Sequence, residues 1–294
     1  MIKSNAPMDI CPTRSIFLGG CPRSGTTLLQ SLLGAHPKIA SFPESHLFQN
    51  LRIRYLSRAL GLASIKGKKQ LNWFLQEIGQ TKLQAQLPSI PLFIHQYVSV
   101  FTEALSQATQ EQGKLVWLEK SPEHIRYIQL FEHLIPQTKY IHLIRNGTDV
   151  VASLYDVSHN HQRRDIWGEP WTIDKCVKTW SDSVQFSRLH LHKPNHILIR
   201  YEKLVADPEN VLTPLCNFLN LEFDAVMLTA YGKTARKVVR PDETWKASVG
   251  APIKSANGKK FYELFTPEEQ DYILDRISAI DLEDLEAQNN RVSV

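Results

Sequence analysis

Residues 19–37 constrain the fold of this chain more than any other segment. They read GGCPRSGTTLLQSLLGAHP and follow the apolar residues IFL. An apolar strand, a glycine-containing turn and a helix form the arrangement in which backbone N–H groups converge on a phosphate at the positive end of the helix dipole. Gly20 and Gly25 have the spacing of the phosphate-binding pattern G-x-x-x-x-G-K-[ST], but Thr26 stands where the lysine should be. With Arg23 and two threonine hydroxyls as further donors, we predict an anion site; the alternative is a glycine turn that serves packing alone.

Three apolar runs are typical of buried parallel strands, and helical patterns alternate with them. The strands are predicted at residues 15–19, 139–144 and 196–201, with a fourth near Val116. The helical patterns are TTLLQSLLGA after the loop, DVVASLYDV after residue 144, and residues 173–192. This alternation predicts an α/β fold with a central, mainly parallel sheet flanked by helices.

The length and composition favour one domain over residues 1–294. The 43% hydrophobic and 22% charged fractions are ordinary for a globular protein. We expect flexible ends at residues 1–13 and 285–294, and a helical segment at residues 52–112 that caps the sheet and shapes a pocket. Residues 232–260 are basic without clear periodicity, which predicts a functional or disordered loop. The segment TPEEQDYILDRI has the cap and first-turn acids of a helix start.

Charge, cysteines and hydropathy exclude several classes of protein. A net charge of +4 is too small to indicate nucleic-acid binding and fits a local anion pocket. No window approaches the roughly 18 apolar residues of a membrane span, and no apolar leader stands near the first residue. These features predict a cytoplasmic protein without a membrane span. Neither a disulfide framework nor a zinc site is indicated by the scattered cysteines Cys11, Cys21, Cys176 and Cys216.

The threonine at residue 26, where the pattern has a lysine, constrains which nucleotide the loop can bind. In nucleoside triphosphate enzymes that lysine contacts the β- and γ-phosphates, while a Ser or Thr and a distal Asp hold magnesium. The predicted strands here end at Glu119, Arg145 and Glu202, none of them a lone aspartate. We therefore expect chemistry that requires no metal.

The loop CPRSGTTLL resembles the 5′-phosphosulfate-binding loop of sulfotransferases that use 3′-phosphoadenosine 5′-phosphosulfate (PAPS). The likeness is greatest to the branch that contains the tyrosylprotein sulfotransferases and their bacterial relatives. It implies a three-layer, P-loop-like fold and PAPS as co-substrate, whose single 5′-phosphate leaves no γ-phosphate for a lysine to contact. The residues that this resemblance assigns to the 5′-phosphosulfate are Arg23, Ser24, Gly25, Thr26 and Thr27.

Three further segments carry the resemblance. Arg145 and Ser153 in RNGTDVVASLY match the family's 3′-phosphate-binding residues, and Tyr201 in IRYEKL matches a tyrosine that contacts the nucleotide. The segment SVGAPIKSANGKKFYEL resembles the C-terminal loop that closes over the 3′-phosphate, although GKKF has a lysine where the family has tryptophan, so its register is open. The residues assigned there are Ser248, Lys254 and Lys259.

The resemblance also implies catalytic roles. Glu44 in SFPESHLF matches the base that accepts the proton of the hydroxyl, and Lys120 in WLEKSPEHI matches the lysine that contacts the bridging oxygen. Arg23 is assigned to the non-bridging oxygens of the leaving group. Small-phenol sulfotransferases instead use a histidine two residues after that lysine, where this chain has Pro122. A glutamate base requires a raised pKa, which partial burial would supply, or proton transfer as the bond to sulfur forms. The alternatives to Glu44 are His46 and His124.

The acceptor is the least constrained part of the prediction. We expect a hydroxylated small metabolite, sugar or lipid in preference to a protein tyrosine, with residues 52–112 on the acceptor side. Trp167 and Trp171 either line its pocket or pack as loop anchors. A homodimer is left open. The alternative functions are an atypical P-loop nucleotide kinase or hydrolase, and a catalytically inactive nucleotide-binding module.

Overall fold

A computed structural model describes residues 14–51, 64–88, 93–160, 167–241, 243, 246, 249–253 and 258–292. Within them, five strands form one parallel sheet in the order β2-β3-β1-β4-β5. The four predicted strands are confirmed, and a three-residue edge strand joins them. The strands are β1 Arg14–Gly20, β2 Ile39–Ser41, β3 Val116–Lys120, β4 Lys139–Ile144 and β5 His196–Arg200.

Helices connect the strands and extend beyond β5. The first part of the chain contributes α1 Thr26–Ala35, α2 Leu47–Asn50, α3 Ile65–Glu77, α4 Ile94–Glu111, α5 Ile128–Leu134 and α6 Gly147–His159. The second part contributes α7 Ile173–Arg188, α8 Tyr201–Ala206, α9 Pro208–Phe218, α10 Val226–Val238, α11 Lys259–Leu264, α12 Pro267–Ser278 and α13 Leu282–Val292. Short 3-10 helices span Thr81–Gln86 and Pro122–Tyr127.

The sheet is buried on both faces, which makes the fold three-layered. Successive strand residues point to opposite faces. Ile16 and Leu18 of β1 join a core with apolar side chains of α1, α9 and α10. Phe17 between them belongs to a second core built with α3, α4 and α5, while Ile144 and Leu198 pack on a third with α6, α7 and α12. The predicted α/β fold with helices on both faces of a parallel sheet is therefore confirmed.

Parallel strands bring their carboxyl ends to one edge of the sheet, where ligands of such folds bind. The loop after β1, Lys120 at the end of β3, Arg145 after β4 and Tyr201 after β5 all lie at this edge. Gly20 permits the close approach of β1 to β4, because a Cβ there would lie 2.4 Å from the carbonyl oxygen of Leu143.

Two boundary predictions need correction, and one is confirmed. Strand β5 ends at Arg200, because Tyr201 begins α8. The expected loop from residue 232 is wrong up to Val238, where α10 continues with Tyr231 and Ala235 buried. Helix α13 extends to Val292 within the segment where a flexible tail was expected from residue 285. The helix start at Thr266 is confirmed by a capping box with Glu269.

The predicted helical character of residues 52–112 agrees with α3 and α4, whereas residues 52–63, 89–92 and the first 13 residues lie outside the described chain. Cys21, Cys176 and Cys216 are buried free thiols. Among the described residues, no helix is both long and apolar enough to cross a bilayer.

Candidate active site

A cavity of about 760 Å³ opens at the carboxyl edge of the sheet. That volume is in the usual range for a small-molecule site. Its wall contains most of the residues that the sequence singled out, although these are spread over more than 170 positions of the chain. Of the residues assigned to the nucleotide or to catalysis, Lys120 is buried and does not line the cavity. Those that do are Arg23, Gly25, Thr26, Thr27, Glu44, Arg145, Ser153 and Tyr201.

The loop after β1 is a tight turn that requires a glycine at residue 25. Gly25 has a φ of 93°, and a Cβ there would lie 2.4 Å from the ring of Tyr201. Arg23 also has a positive φ of 74°, a conformation that is costly for a residue with a side chain. Helix α1 begins directly after this turn, and Thr26, Thr27 and Leu28 of its first turn line the cavity, so the positive end of the helix lies there. Ser24 is fully buried and does not line the cavity.

Helix α6 begins at the end of β4 because Asn146 caps it, accepting a hydrogen bond from the N–H of Thr148 (3.1 Å). The guanidinium of Arg145 lies 4.5 Å from the ring centre of Tyr201 and 3.6 Å from the carboxylate of Asp149. Ser153 accepts a hydrogen bond from Nε of Arg23 at 3.1 Å. The two segments predicted for the 5′- and 3′-phosphates are therefore in direct contact.

Glu44 is buried, and the two residues that follow it are hydrogen-bonded to the end of β3. The adjacent Ser45 donates to Glu119 (2.7 Å), and the N–H of His46 donates to Oγ of Ser121 (3.1 Å), which fixes this segment against the end of β3. Lys120 follows Glu119 and donates from its ammonium to Oε1 of Glu44.

The ammonium of Lys120 connects Glu44 with the loop. Besides Glu44 it contacts Oγ1 of Thr27 at 3.2 Å. A second ammonium, that of Lys246, lies 2.6 Å from the same Oε1 of Glu44. One carboxylate oxygen of Glu44 therefore accepts hydrogen bonds from two ammonium groups, and one of them, that of Lys120, also contacts the start of α1.

The pKa of Glu44 distinguishes between the two conditions considered for a glutamate base. Burial favours the protonated form of Glu44, but Lys120 and Lys246 outweigh burial and hold its pKa well below the ordinary value. A raised pKa is therefore not met, and the other condition, proton transfer as the bond to sulfur forms, needs none. Burial lowers the pKa of Lys120 to about 8, although Glu44 opposes this shift.

The two histidines near Glu44 differ in their accessibility to a substrate. His46 lines the cavity with Nε2 3.4 Å from Oε2 of Glu44, and burial lowers its pKa. His124 is buried with both ring nitrogens in hydrogen bonds, Nδ1 with Glu119 (3.0 Å) and Nε2 with the N–H of Phe48 (3.3 Å). His124 is therefore a structural residue beneath the site.

The basic stretch near the end of the chain contributes different residues from those predicted. Lys259 is exposed and lies 3.6 Å from Glu263, whereas its neighbour Lys260 lines the cavity. Ser248 and Lys254 lie outside the described residues. The sequence analysis missed Arg240, Glu243 and Lys246 as site residues; the basic character of residues 232–260 was the one signal available.

Trp167 and Trp171 both line the cavity, with ring centres 5.5 Å apart in an edge-to-face contact. They therefore pack on each other and also form part of the cavity wall.

One group of side chains among the described residues has the geometry of a metal site, and it lies away from the cavity. It consists of Glu132, His190 and His196. His196 begins β5, at the end of the strand opposite to the cavity. The ammonium of Lys193 lies 2.7 Å from Glu132 and 3.1 Å from Nδ1 of His190, so an internal cation already fills the space between these acceptors.

A parallel α/β fold with a glycine turn and a helix N-terminus at its ligand edge defines the class of P-loop-like nucleotide-binding proteins. A family model described as "Sulfotransferase family" matches residues 15–225. The chain therefore belongs to the sulfotransferase family, as the resemblance predicted.

Individual relatives agree with this assignment. Protein-tyrosine sulfotransferase A of Caenorhabditis elegans is 26% identical over 217 residues, which are 72% of this chain and 51% of that protein. Nodulation protein NoeE of Sinorhizobium fredii is 28% identical over 173 residues, 58% of this chain and 36% of the relative. The chain thus spans about half or less of the length of these two proteins. The solved sulfotransferase domain from the curacin biosynthetic pathway has 24% identity and a TM-score of 0.54, covers 91% of this chain and 98% of that domain, and shares the fold.

Proposed function

We propose that this protein transfers the sulfuryl group of PAPS to a hydroxyl acceptor, with Glu44 as base and Lys120 and Arg23 at the leaving group. The observation that carries this proposal is the position of Lys120. Its ammonium contacts both Thr27 of the anion-binding loop and the carboxylate of Glu44. A cation for the leaving oxygen and a base for the acceptor proton therefore meet at the loop, as in-line transfer requires.

The cavity fits a nucleotide with two separate anionic groups. The loop and α1 offer Arg23, Thr26 and Thr27 to a 5′-phosphosulfate, and the start of α6 offers Arg145 and Ser153 to a 3′-phosphate. Arginine suits such oxyanions because its donors are fixed in a planar fork. Tyr201 lies between these groups, against Gly25 and under Arg145.

Each proposed catalytic residue acts through a charge that is present near neutral pH. PAPS supplies an activated sulfuryl group, so that a bond forms between sulfur and the acceptor oxygen while the bond between sulfur and the bridging oxygen breaks. Glu44 is ionised because its pKa is held low, and it accepts the hydroxyl proton as the new bond forms. Lys120 places a positive charge at the bridging oxygen, where negative charge develops.

The two alternative functions make different demands on this site. A nucleoside triphosphate kinase or hydrolase needs a cation at the position of Thr26, which offers a hydroxyl. An inactive binding module has no need of a buried glutamate and a buried lysine in contact at the loop. These observations support the transferase over both alternatives.

We propose a hydroxylated acceptor that enters beside Trp167 and Trp171, in the cavity that Gln49 and Glu123 also line. The relatives bear names of protein-tyrosine sulfotransferases and of a nodulation protein, so sugars, lipids, small alcohols and tyrosine peptides all belong in the screen.

The test is transfer from PAPS carrying labelled sulfur to this acceptor set. The wild type should label at least one class of acceptor. Glu44→Gln should lower kcat at least about 100-fold, the usual contribution of a general base, and Lys120→Met should lower it similarly. Both variants should retain 3′-phosphoadenosine 5′-phosphate (PAP) affinity within a few-fold and fold normally by circular dichroism. Wild-type turnover in both variants would disprove the mechanism.

A further inference from the structure

Two lysines share one oxygen of Glu44, and only one of them has a task in the proposed reaction. Lys120 and Lys246 both donate to Oε1, and the distance from Lys246 is 2.6 Å. The Lys246 side chain is 11% exposed and that of Glu44 7%, so their contact is largely shielded from water. Ordering and burying a second ammonium costs side-chain entropy and desolvation free energy, and Glu44 is already paired with Lys120. The position of Lys246 therefore needs a physical explanation.

Hydrogen bonds among Arg240, Glu243 and Lys246 hold the Lys246 side chain at Glu44. The backbone N–H of Glu243 donates to the carbonyl of Arg240 at 3.0 Å, and that of Lys246 donates to the carbonyl of Glu243 at 2.9 Å. The carboxylate of Glu243 accepts from the N–H of Arg240 (3.0 Å) and pairs with the Lys246 ammonium. Arg240 also donates from Nη2 to the backbone carbonyl of Glu44 at 2.7 Å. Arg240 therefore contacts the main chain of Glu44, and Lys246 contacts its side chain.

We infer that Lys246 is a positioning residue for Glu44, which keeps the carboxylate ionised and oriented when Lys120 turns from Glu44 to the leaving phosphosulfate. This inference rests on the proposed function, because it assigns Lys120 to two positions within the reaction. The contact between Lys246 and Glu44 itself does not depend on that function.

The charge balance around Glu44 explains why a second lysine is needed. While Lys120 contacts Glu44, the two ammoniums of Lys120 and Lys246 balance the two carboxylates of Glu44 and Glu243. Once Lys120 is drawn to an anionic donor, Lys246 is the ammonium that remains in contact with Glu44. A buried carboxylate without a cation takes up a proton and ceases to be a base. Among the described residues, the charged and titratable groups around Glu44 are Lys120, Lys246, His46 and Arg240, with Glu243 paired to Lys246 and Glu77 lying 3.4 Å from Arg240.

The effect of removing Lys246 has a defined sign. Lys120 and Lys246 both lower the pKa of Glu44 against the opposing effect of burial. Without Lys246, and with Lys120 at the leaving group, burial dominates and the pKa of Glu44 in the complex rises. The ionised fraction at a given acidic pH then falls, so kcat falls toward low pH and recovers as the pH increases.

The test compares Lys246→Met, Lys246→Arg and the wild type in kcat and in KM for PAPS across a pH series, with an acceptor found in the labelled-sulfur screen. Lys246→Met should move the acid limb of kcat to higher pH by about one unit or more, the size expected for loss of an adjacent opposite charge. KM for PAPS should change less than about threefold, and Lys246→Arg should restore the limb. Lys178→Met is the matched control, because Lys178 is 75% exposed and pairs only with Asp182 on α7 among the contacts described.

Two results would overturn the inference. One is an equal loss of kcat at every pH in Lys246→Met with the limb unmoved, which is what a purely structural role produces. The other is a pH dependence of kcat in Lys246→Met that equals that of the wild type.

A titration without turnover separates this inference from the proposed function. The protein is labelled with carbon-13 at glutamate side chains and observed by NMR, and the Glu44 resonance is identified by its loss in Glu44→Gln. The pKa of Glu44 read from this resonance should rise in Lys246→Met. An unchanged Glu44 titration overturns the inference alone. If the wild type instead transfers no sulfuryl group while the Glu44 titration still moves, the proposed function fails, and the catalytic role of Lys246 fails with it.

Discussion

Nε of Arg23 lies 3.1 Å from Oγ of Ser153, although 130 residues separate them in sequence. This hydrogen bond joins the loop after β1 to the middle of α6, the two segments that the sequence assigned to different phosphates of one nucleotide. Both residues line the cavity, so a bound nucleotide would contact the pair as a unit. The two halves of the proposed nucleotide site are therefore coupled before any ligand binds.

Loss of the Ser153 hydroxyl should weaken nucleotide binding by two routes. Ser153→Ala removes a proposed donor to the 3′-phosphate and releases Arg23 from its hydrogen bond. Because a hydrogen bond to a charged group contributes about 1.5–3 kcal/mol, the affinity for PAP in calorimetry should fall roughly 10-fold or more. Ser278→Ala, an exposed serine at the end of α12, is the control and should bind as the wild type does. Unchanged affinity in Ser153→Ala would remove Ser153 from the nucleotide site.

Gly25 and Gly113 provide a matched pair for testing the turn against Tyr201. Both have positive φ, 93° and 66°, but a Cβ at Gly25 would lie 2.4 Å from the Tyr201 ring, whereas none lies within 4 Å at Gly113. Gly113→Ala should therefore cost only the backbone strain, about 1–2 kcal/mol of unfolding free energy, and leave PAP binding intact. Gly25→Ala should cost at least as much stability and lower PAP affinity at least about 10-fold. Equal PAP affinity in the two variants would show that the contact between Gly25 and Tyr201 does not shape the site.

Deprotonation of Lys120 should limit activity on the alkaline side. Burial lowers its pKa to about 8 in the free protein, so the positive charge proposed for the leaving group is lost as the pH rises through that value. The quantity kcat/KM for PAPS reports the free enzyme and should therefore fall above about pH 8. Lys120→Arg keeps its charge throughout this range, so its alkaline limb should disappear even if its rate is lower. A limb that persists unchanged in Lys120→Arg would belong to another group.

The strands and the glycine turn were predictable because each depends on a short stretch of sequence. Four strands were recognisable because both faces of a parallel sheet are buried, which leaves continuous apolar runs such as KYIHLI. The loop at Gly25 was recognisable because glycine spacing between a strand and a helix reports backbone geometry directly. Helix α10 beyond residue 232 was missed, because its buried Tyr231 and Ala235 stand among basic residues that hid the period.

The electrostatics of the site depend on contacts between distant segments and were not predictable in the same way. The sequence located Glu44 and Lys120 through resemblance, but it gave no indication that Lys246 contacts Glu44 from 202 residues away. For the same reason the lowered pKa of Glu44 was not predictable, because it depends on two ammoniums from distant segments. Likewise, whether Lys259 or Lys260 faces the cavity depends on how α11 is rotated, which the lysine pair alone does not determine.

The proposed site binds a nucleotide with a 3′-phosphate and a single 5′-phosphate group, and calorimetry of PAP against ATP with magnesium tests this property. The wild-type protein should bind PAP at least about 10-fold more tightly than ATP, a difference of about 1.4 kcal/mol. Arg145→Ala should remove most of this preference, because it deletes the proposed cation at the 3′-phosphate. ATP binding as tight as or tighter than PAP binding in the wild type would rule out such a site.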